Sequence, residues 1–372
     1  MATSFTPGLR VARGTVITKE RRLPLLGEVT VRVGDMVRHD TVVARTELPG
    51  DIYPVQVAHV LGVEPGELKD AMLKREKDPV RKGEVIALSR SFFGLFKSTC
   101  ESPIDGTMES ISLRTGQVIL QRPPVPVEVN AFMDGEVLAV HEREGVTVRA
   151  RGAYVQGIFG VGGEAWGELE PACAGPAEKL TVAQLRPGQR GKLLLAGSGV
   201  TLEALLKARE LGVSGVIAGG FDKGDLKELL GYELGVAITG NEEIGITLIL
   251  TEGYGEIPMT QRTWDLLHGL AGRHCSVNGA TQIRAGVIRP EIVVPLPEQD
   301  LVEETRHTGA LEIDSEVRII RQPWFGQKGR VSALPSELTQ VESGALVRVL
   351  EVETEGGRRV TLPRANIELI EK

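Results

Sequence analysis

Gly191-Lys-Leu-Leu-Leu-Ala-Gly197, Ser198-Gly-Val-Thr-Leu-Glu-Ala-Leu-Leu-Lys-Ala-Arg-Glu-Leu-Gly212 and Val213-Ser-Gly-Val-Ile-Ala-Gly-Gly220 follow one another without a break. A short apolar run, a polar glycine turn, a segment of helical period and a second apolar run predict one βαβ unit. The pattern continues, with a helix expected over Asp222 to Leu230, a buried strand over Ile246 to Leu250 and a helix over Thr260 to Leu270. Parallel strands need such crossovers, and runs this apolar need cover on both faces. Residues 180–297 therefore read as a three-layer α/β domain with a mainly parallel sheet.

In open α/β sheets ligands bind beyond the carboxyl ends of the strands. That rule selects Ser198, Gly199 and Thr201 after the first strand, Gly219, Gly220 and Asp222 after the second, and Thr251, Glu252 and Gly253 after the third. Free N–H groups at a helix start suit an anion, so a small anionic ligand is one expectation for this edge. The competing reading makes Thr201 and Asp222 plain helix caps. Asn278-Gly279 signals a tight hairpin, and beyond it Arg284 or Arg289 offers a fork for a carboxylate or phosphate. Gly197 to Leu202 is neither a dinucleotide fingerprint nor a Walker loop. His268 and His274 stand six apart, which is poor metal-ligand spacing. No catalytic or metal-binding constellation is expected.

Working toward the amino terminus, residues 11–170 alternate β-branched and polar residues between glycine turns. Val29, Val31 and Val33 share a face before Gly34-Asp35, and Asp105-Gly106 punctuates a second hairpin. Residues 1–170 read as a β domain with a helical insert near 57–73, and its turn phrasing resembles the barrel-sandwich hybrid family of biotinyl and lipoyl carriers and adaptor domains. Carriers in that family present a lysine at a hairpin tip. Neither tip here has one, so no biotin or lipoate is expected, no other cofactor is predicted, and the adaptor reading remains. Phe92, Phe93 and Phe96 either plug a barrel end or form a docking tip. Gly157-Ile-Phe-Gly-Val-Gly-Gly163 precedes no helical run and reads as close backbone packing.

Toward the carboxyl terminus, residues 298–309 read as an acidic linker and 311–372 as short alternating strands, the pattern of an SH3-like barrel. Trp324-Phe-Gly-Gln-Lys-Gly-Arg-Val331 resembles a KOW module, as found in transcription elongation factors and ribosomal proteins. The resemblance implies contact with RNA, the ribosome or the transcription machinery. Arg318, Arg321, Trp324, Phe325, Lys328 and Arg330 are the RNA- or partner-binding candidates. From Leu311 onward 9 Lys/Arg face 10 Asp/Glu, so RNA affinity requires the four named cations to gather on one face.

The whole chain carries a net charge of −7, which excludes a surface that grips nucleic acid everywhere. Its three cysteines, Cys100, Cys173 and Cys275, form neither a disulfide framework nor a zinc motif. No run spans a bilayer and no signal core opens the chain, so a cytoplasmic location is expected. The fold class read from the sequence is multidomain α/β plus β. The function read from it is a non-enzymatic adaptor docking on a larger protein or ribonucleoprotein assembly. The alternatives are an enzyme or small-molecule sensor using the glycine loops, and a structural subunit of a metabolic complex.

Overall fold

A computed structural model of the chain describes residues 9–91, 96–232, 242, 244–281, 288–300, 311–321, 323–335, 337–340 and 346–370. The expected βαβ unit is present. Leu193–Leu195 and Gly215–Phe221 are parallel strands joined by the Leu202–Glu210 helix. The Lys223–Leu230 helix follows, then the Thr247–Tyr254 strand and the Gln261–His268 helix. Leu194, Val216 and Leu248 lie side by side across the three strands, all buried, as strands covered on both faces require.

The parallel block is four strands wide, with Glu164–Pro171 as its fourth member beside Leu193–Leu195. It sits inside a 13-stranded mixed sheet rather than a mainly parallel one. Phe159–Val161 adds antiparallel to Thr247–Tyr254 at one edge. At the other, His274–Asn278, Glu291–Pro295 and Gly145–Gln156 follow in antiparallel order. Gly145–Gln156 makes this continuity possible. Its first half pairs with Gly135–His141, its second half with Glu291–Pro295, and Val11–Arg22 runs along its opposite edge. The sheet therefore passes through the boundary expected near residues 170–180.

Two further expectations are corrected. Asn278 pairs with Glu291, so the strands around Asn278-Gly279 are antiparallel but no two-residue turn joins them. Gly279 serves close approach instead: a Cβ there would lie 2.6 Å from the Val161 carbonyl oxygen. Gly160 and Gly162 face similar crowding, in keeping with the backbone-packing reading of Gly157 to Gly163. The helical insert is two short pieces, Val57–Leu61 and Leu68–Ala71. Gly62 turns left-handed at φ 67° and ends the first, closing hydrogen bonds back to Ala58 and His59.

The amino-terminal region holds two cores. One gathers Val57, Leu68, Ile86, Met108 and Leu120; the other gathers Ile17, Val43, Phe132, Met133 and Val148 with Val293 from the long sheet. Phe92 and Phe93 lie outside the described residues, and Phe96 opens the Phe96–Glu101 strand. The carboxyl-terminal region is a six-stranded antiparallel sheet with its own core of Val317, Ile319, Val331, Leu350, Val352 and Ile367. The whole is a multidomain α/β-plus-β architecture. No helix among the described residues is long and apolar enough to cross a membrane.

Candidate functional site

The glycines chosen as ligand loops are mostly strand residues. Gly219 and Gly220 lie within Gly215–Phe221, and Thr251, Glu252 and Gly253 within Thr247–Tyr254. Gly199 belongs to a two-residue strand, Gly199–Val200, paired with Lys179–Leu180. Here glycine marks places where backbones touch, not turns. A Cβ would come within 2.3 Å of the Gly175 oxygen from Gly197, 2.1 Å of the Ile257 oxygen from Gly219 and 2.0 Å of the Gly255 oxygen from Gly220.

The N–H groups of this edge are used internally. Ser198 N donates to Glu178 O at 2.9 Å, Gly219 N to Gly197 O at 2.8 Å and Gly220 N to Ser198 O at 3.1 Å. Thr201 Oγ1 accepts from Ala204 N at 3.1 Å, and Asp222 Oδ1 from Gly224 N at 2.7 Å. Both residues are therefore helix caps. Ser198 is buried, and its Oγ has no hydrogen-bond partner among the described residues. Thr251 is buried beneath this edge, and Arg284 lies outside the described residues.

Glu252 leads elsewhere. On the carboxyl-terminal sheet, Val317 and Ile319 point into the core, so strand alternation sends Glu316 and Arg318 to the outer face. Lys328 and Arg330 alternate likewise with Gly329 and Val331, and Glu368 with Ile367 and Leu369. Part of that face lies against the end of Thr247–Tyr254. Arg318 Nη2 pairs with Glu252 Oε2, and Lys328 Nζ reaches the same oxygen at 3.2 Å. Thr260 N donates to Glu252 Oε1 at 3.0 Å. Arg289 Nη1 lies 2.7 Å from Glu368 Oε2, and Leu9 N donates to Glu368 Oε1 at 2.8 Å. Arg318, Glu252 and Glu368 are exposed by only 3%, 2% and 1%.

This clasp joins the segment that leads into the first strand, the α/β sheet and the carboxyl-terminal sheet around a cavity of about 50 Å³ lined by Thr251, Thr260, Thr263 and the buried charges. The space suits one or two waters, given about 30 Å³ per water. Phe325 adds an apolar contact, its ring 6.1 Å from Tyr254, which in turn sits 5.2 Å from Phe159. Burial pushes the Tyr254 phenol well above its ordinary range.

The candidates for RNA or partner contact are thus divided. Arg318 is corrected outright, because its guanidinium is buried and paired inside the chain. Lys328 and Phe325 also face the α/β domain, and Arg330 pairs with Glu316 at 3.0 Å. Arg321 is exposed. Trp324 rests on the core of its own sheet, with the Arg358 guanidinium 5.1 Å from its ring centre. Arg289, read as a carboxylate fork, grips a carboxylate of this same chain. Glu368 went unrecognised because its partners lie far away in sequence; the apolar alternation around it was the available signal. No protein-family model matches the chain, and no curated protein matches it either.

Proposed function

We propose that this protein is a non-enzymatic adaptor, an α/β scaffold that holds a carboxyl-terminal recognition module and docks it on a ribonucleoprotein assembly. The observation that carries this reading is the interleaving of backbone at the carboxyl edge of the parallel strands. A small molecule entering there must displace main chain hydrogen-bonded at 2.8–3.1 Å. Gly197, Gly219 and Gly220 serve packing, and Glu252 serves to hold the module in place.

RNA contact falls to the side of the module that bears Trp324 and Arg358. The Arg358 guanidinium, backed by the Trp324 indole, is the plane on which a base is expected to stack, while Arg321 supplies charge for phosphate. The test is binding of a labelled single-stranded oligoribonucleotide to the full chain over a salt series. Affinity is expected to fall as salt rises, and Trp324→Ala to weaken it roughly tenfold, from ~1–3 kcal/mol per stacked base. Salt-independent binding, or none, removes RNA from the proposal.

A further inference from the structure

His39 lies between the Met36–Val37 and Val42–Leu48 strands, in a loop laid on the face of the long sheet. Beneath it is His274, the first residue of His274–Asn278. Cys275 and Val277 of that strand enter the α/β core, so His274 and Ser276 face the opposite side, toward the second amino-terminal core. The imidazoles stack with centroids 3.8 Å apart and planes 27° apart, and Trp166 flanks His39 at 5.6 Å.

Asp134 Oδ1 accepts from the His39 backbone N at 2.8 Å and lies 2.9 Å from its Nδ1. An ionised carboxylate only accepts, so Nδ1 of His39 carries a proton and donates it to Asp134. His274 is in the contrary position: its Nε2 is buried and has no hydrogen-bond partner among the described residues. The remaining charged groups around the stack are Arg38 and Asp40 from the His39 loop, whose effects oppose one another. Glu168 stands opposite His274 on the neighbouring strand and is engaged by Lys192 at 3.0 Å; Arg273 precedes it and pairs with Asp300 at 2.7 Å.

We propose that the His39–His274 stack is a pH-operated fastener, closed while at most one of the two rings is charged and released when His274 takes a proton. Two imidazolium rings in face-to-face contact repel one another, Asp134 pairs directly with only one of them, and the exposed loop is the part free to yield. That loop is tied down by Phe132 N donating to His39 O at 3.0 Å and Ala131 N donating to Thr41 O at 2.9 Å. It also walls a groove of about 720 Å³ lined by Met36, Arg38, Asp134, Arg149 and Pro295, so its release reshapes that groove. Burial first, and then the neighbouring His39, holds His274 below the ordinary imidazole range, which places release on the acid side of neutrality.

Hydrogen exchange on the full chain from about pH 8 to about pH 5, converted to protection factors, tests this. The His39, Ala131 and Phe132 amides are expected to lose roughly tenfold protection on acidification while Val216 and Ile217 keep theirs. In His274→Gln the loop amides are expected to hold their protection across the range. Unchanged loop protection in the parent, or an equal loss in His274→Gln, overturns the proposal. Should that variant fail to fold, ring-proton NMR of the unmodified protein decides. A His274 midpoint below about 6.5 supports the fastener, and one at or above it overturns the proposal.

Discussion

Arg318 shows how far a residue's type underdetermines its role. An arginine in a module resembling an RNA binder suggests phosphate contact, yet this one satisfies Glu252 inside the molecule. Removing one member of a buried pair costs about 3–5 kcal/mol when the other is left unmatched; here Glu252 keeps Lys328 and the Thr260 N–H, which places the loss at the lower end of that range. Arg318→Met is therefore expected to lower unfolding stability by that amount in a urea titration. Arg318→Met combined with Glu252→Met is expected to recover much of it, because neither charge is then stranded. Lys328 would lose its partner in the double variant, but it is partly exposed and can turn to solvent.

Glu170 makes a second case at this scale. Burial works to raise its pKa, but bonds from Lys192, Gln189 and Arg186 outweigh it and hold the carboxyl at about 2. Because the folded value lies below the unfolded one, its stabilising contribution is present above about pH 4.3 and is lost as pH falls toward 2. Glu170→Gln should flatten the acid limb of stability against pH between those limits, as read by thermal unfolding. An unchanged acid limb would exclude Glu170 as a contributor.

Helices were legible as elements because their signals are local. Thr201 and Asp222 stand at the caps that their types favour, and apolar spacing located the helices behind them. Glycine in strands was misread for an equally physical reason. A glycine that opens a turn and one that admits a neighbouring carbonyl look alike in sequence, and only the second depends on residues far away. Two substitutions separate the roles. Gly220→Ala places a methyl 2.0 Å from the Gly255 oxygen, so backbone must move, whereas a Cβ on Gly175 meets nothing within 4 Å. Gly220→Ala is expected to destabilise by more than about 1 kcal/mol. Gly175→Ala is expected to be neutral or to stabilise by roughly 0.4–1 kcal/mol through the unfolded chain. Comparable losses in urea midpoint for both would remove the close-packing account of the carboxyl edge.

Across the whole molecule, the coarse class was readable and the course of the long sheet was not. Alternation identifies Gly145–Gln156 as a strand, but cannot reveal that its two halves serve different partners, one adjacent in sequence and one at Glu291–Pro295. That pairing joins a region read as a β domain to one read as α/β, so the two should open together. Native-state hydrogen exchange against denaturant tests this directly. Amides of Val148, Val155 and Val216 are expected to share one opening free energy and one denaturant dependence. The carboxyl-terminal sheet has a separate core and meets the rest through the clasp and Phe325, so its Val331 and Val352 amides belong to a different unit. Weakening the clasp with Arg318→Met should lower the opening free energy of those two amides more than that of Val216. If Val148 instead opens well before Val216 in the parent protein, the long sheet is not the cooperative body of this molecule. The division at residues 170–180 would then mark a thermodynamic boundary even though the hydrogen-bonded sheet crosses it.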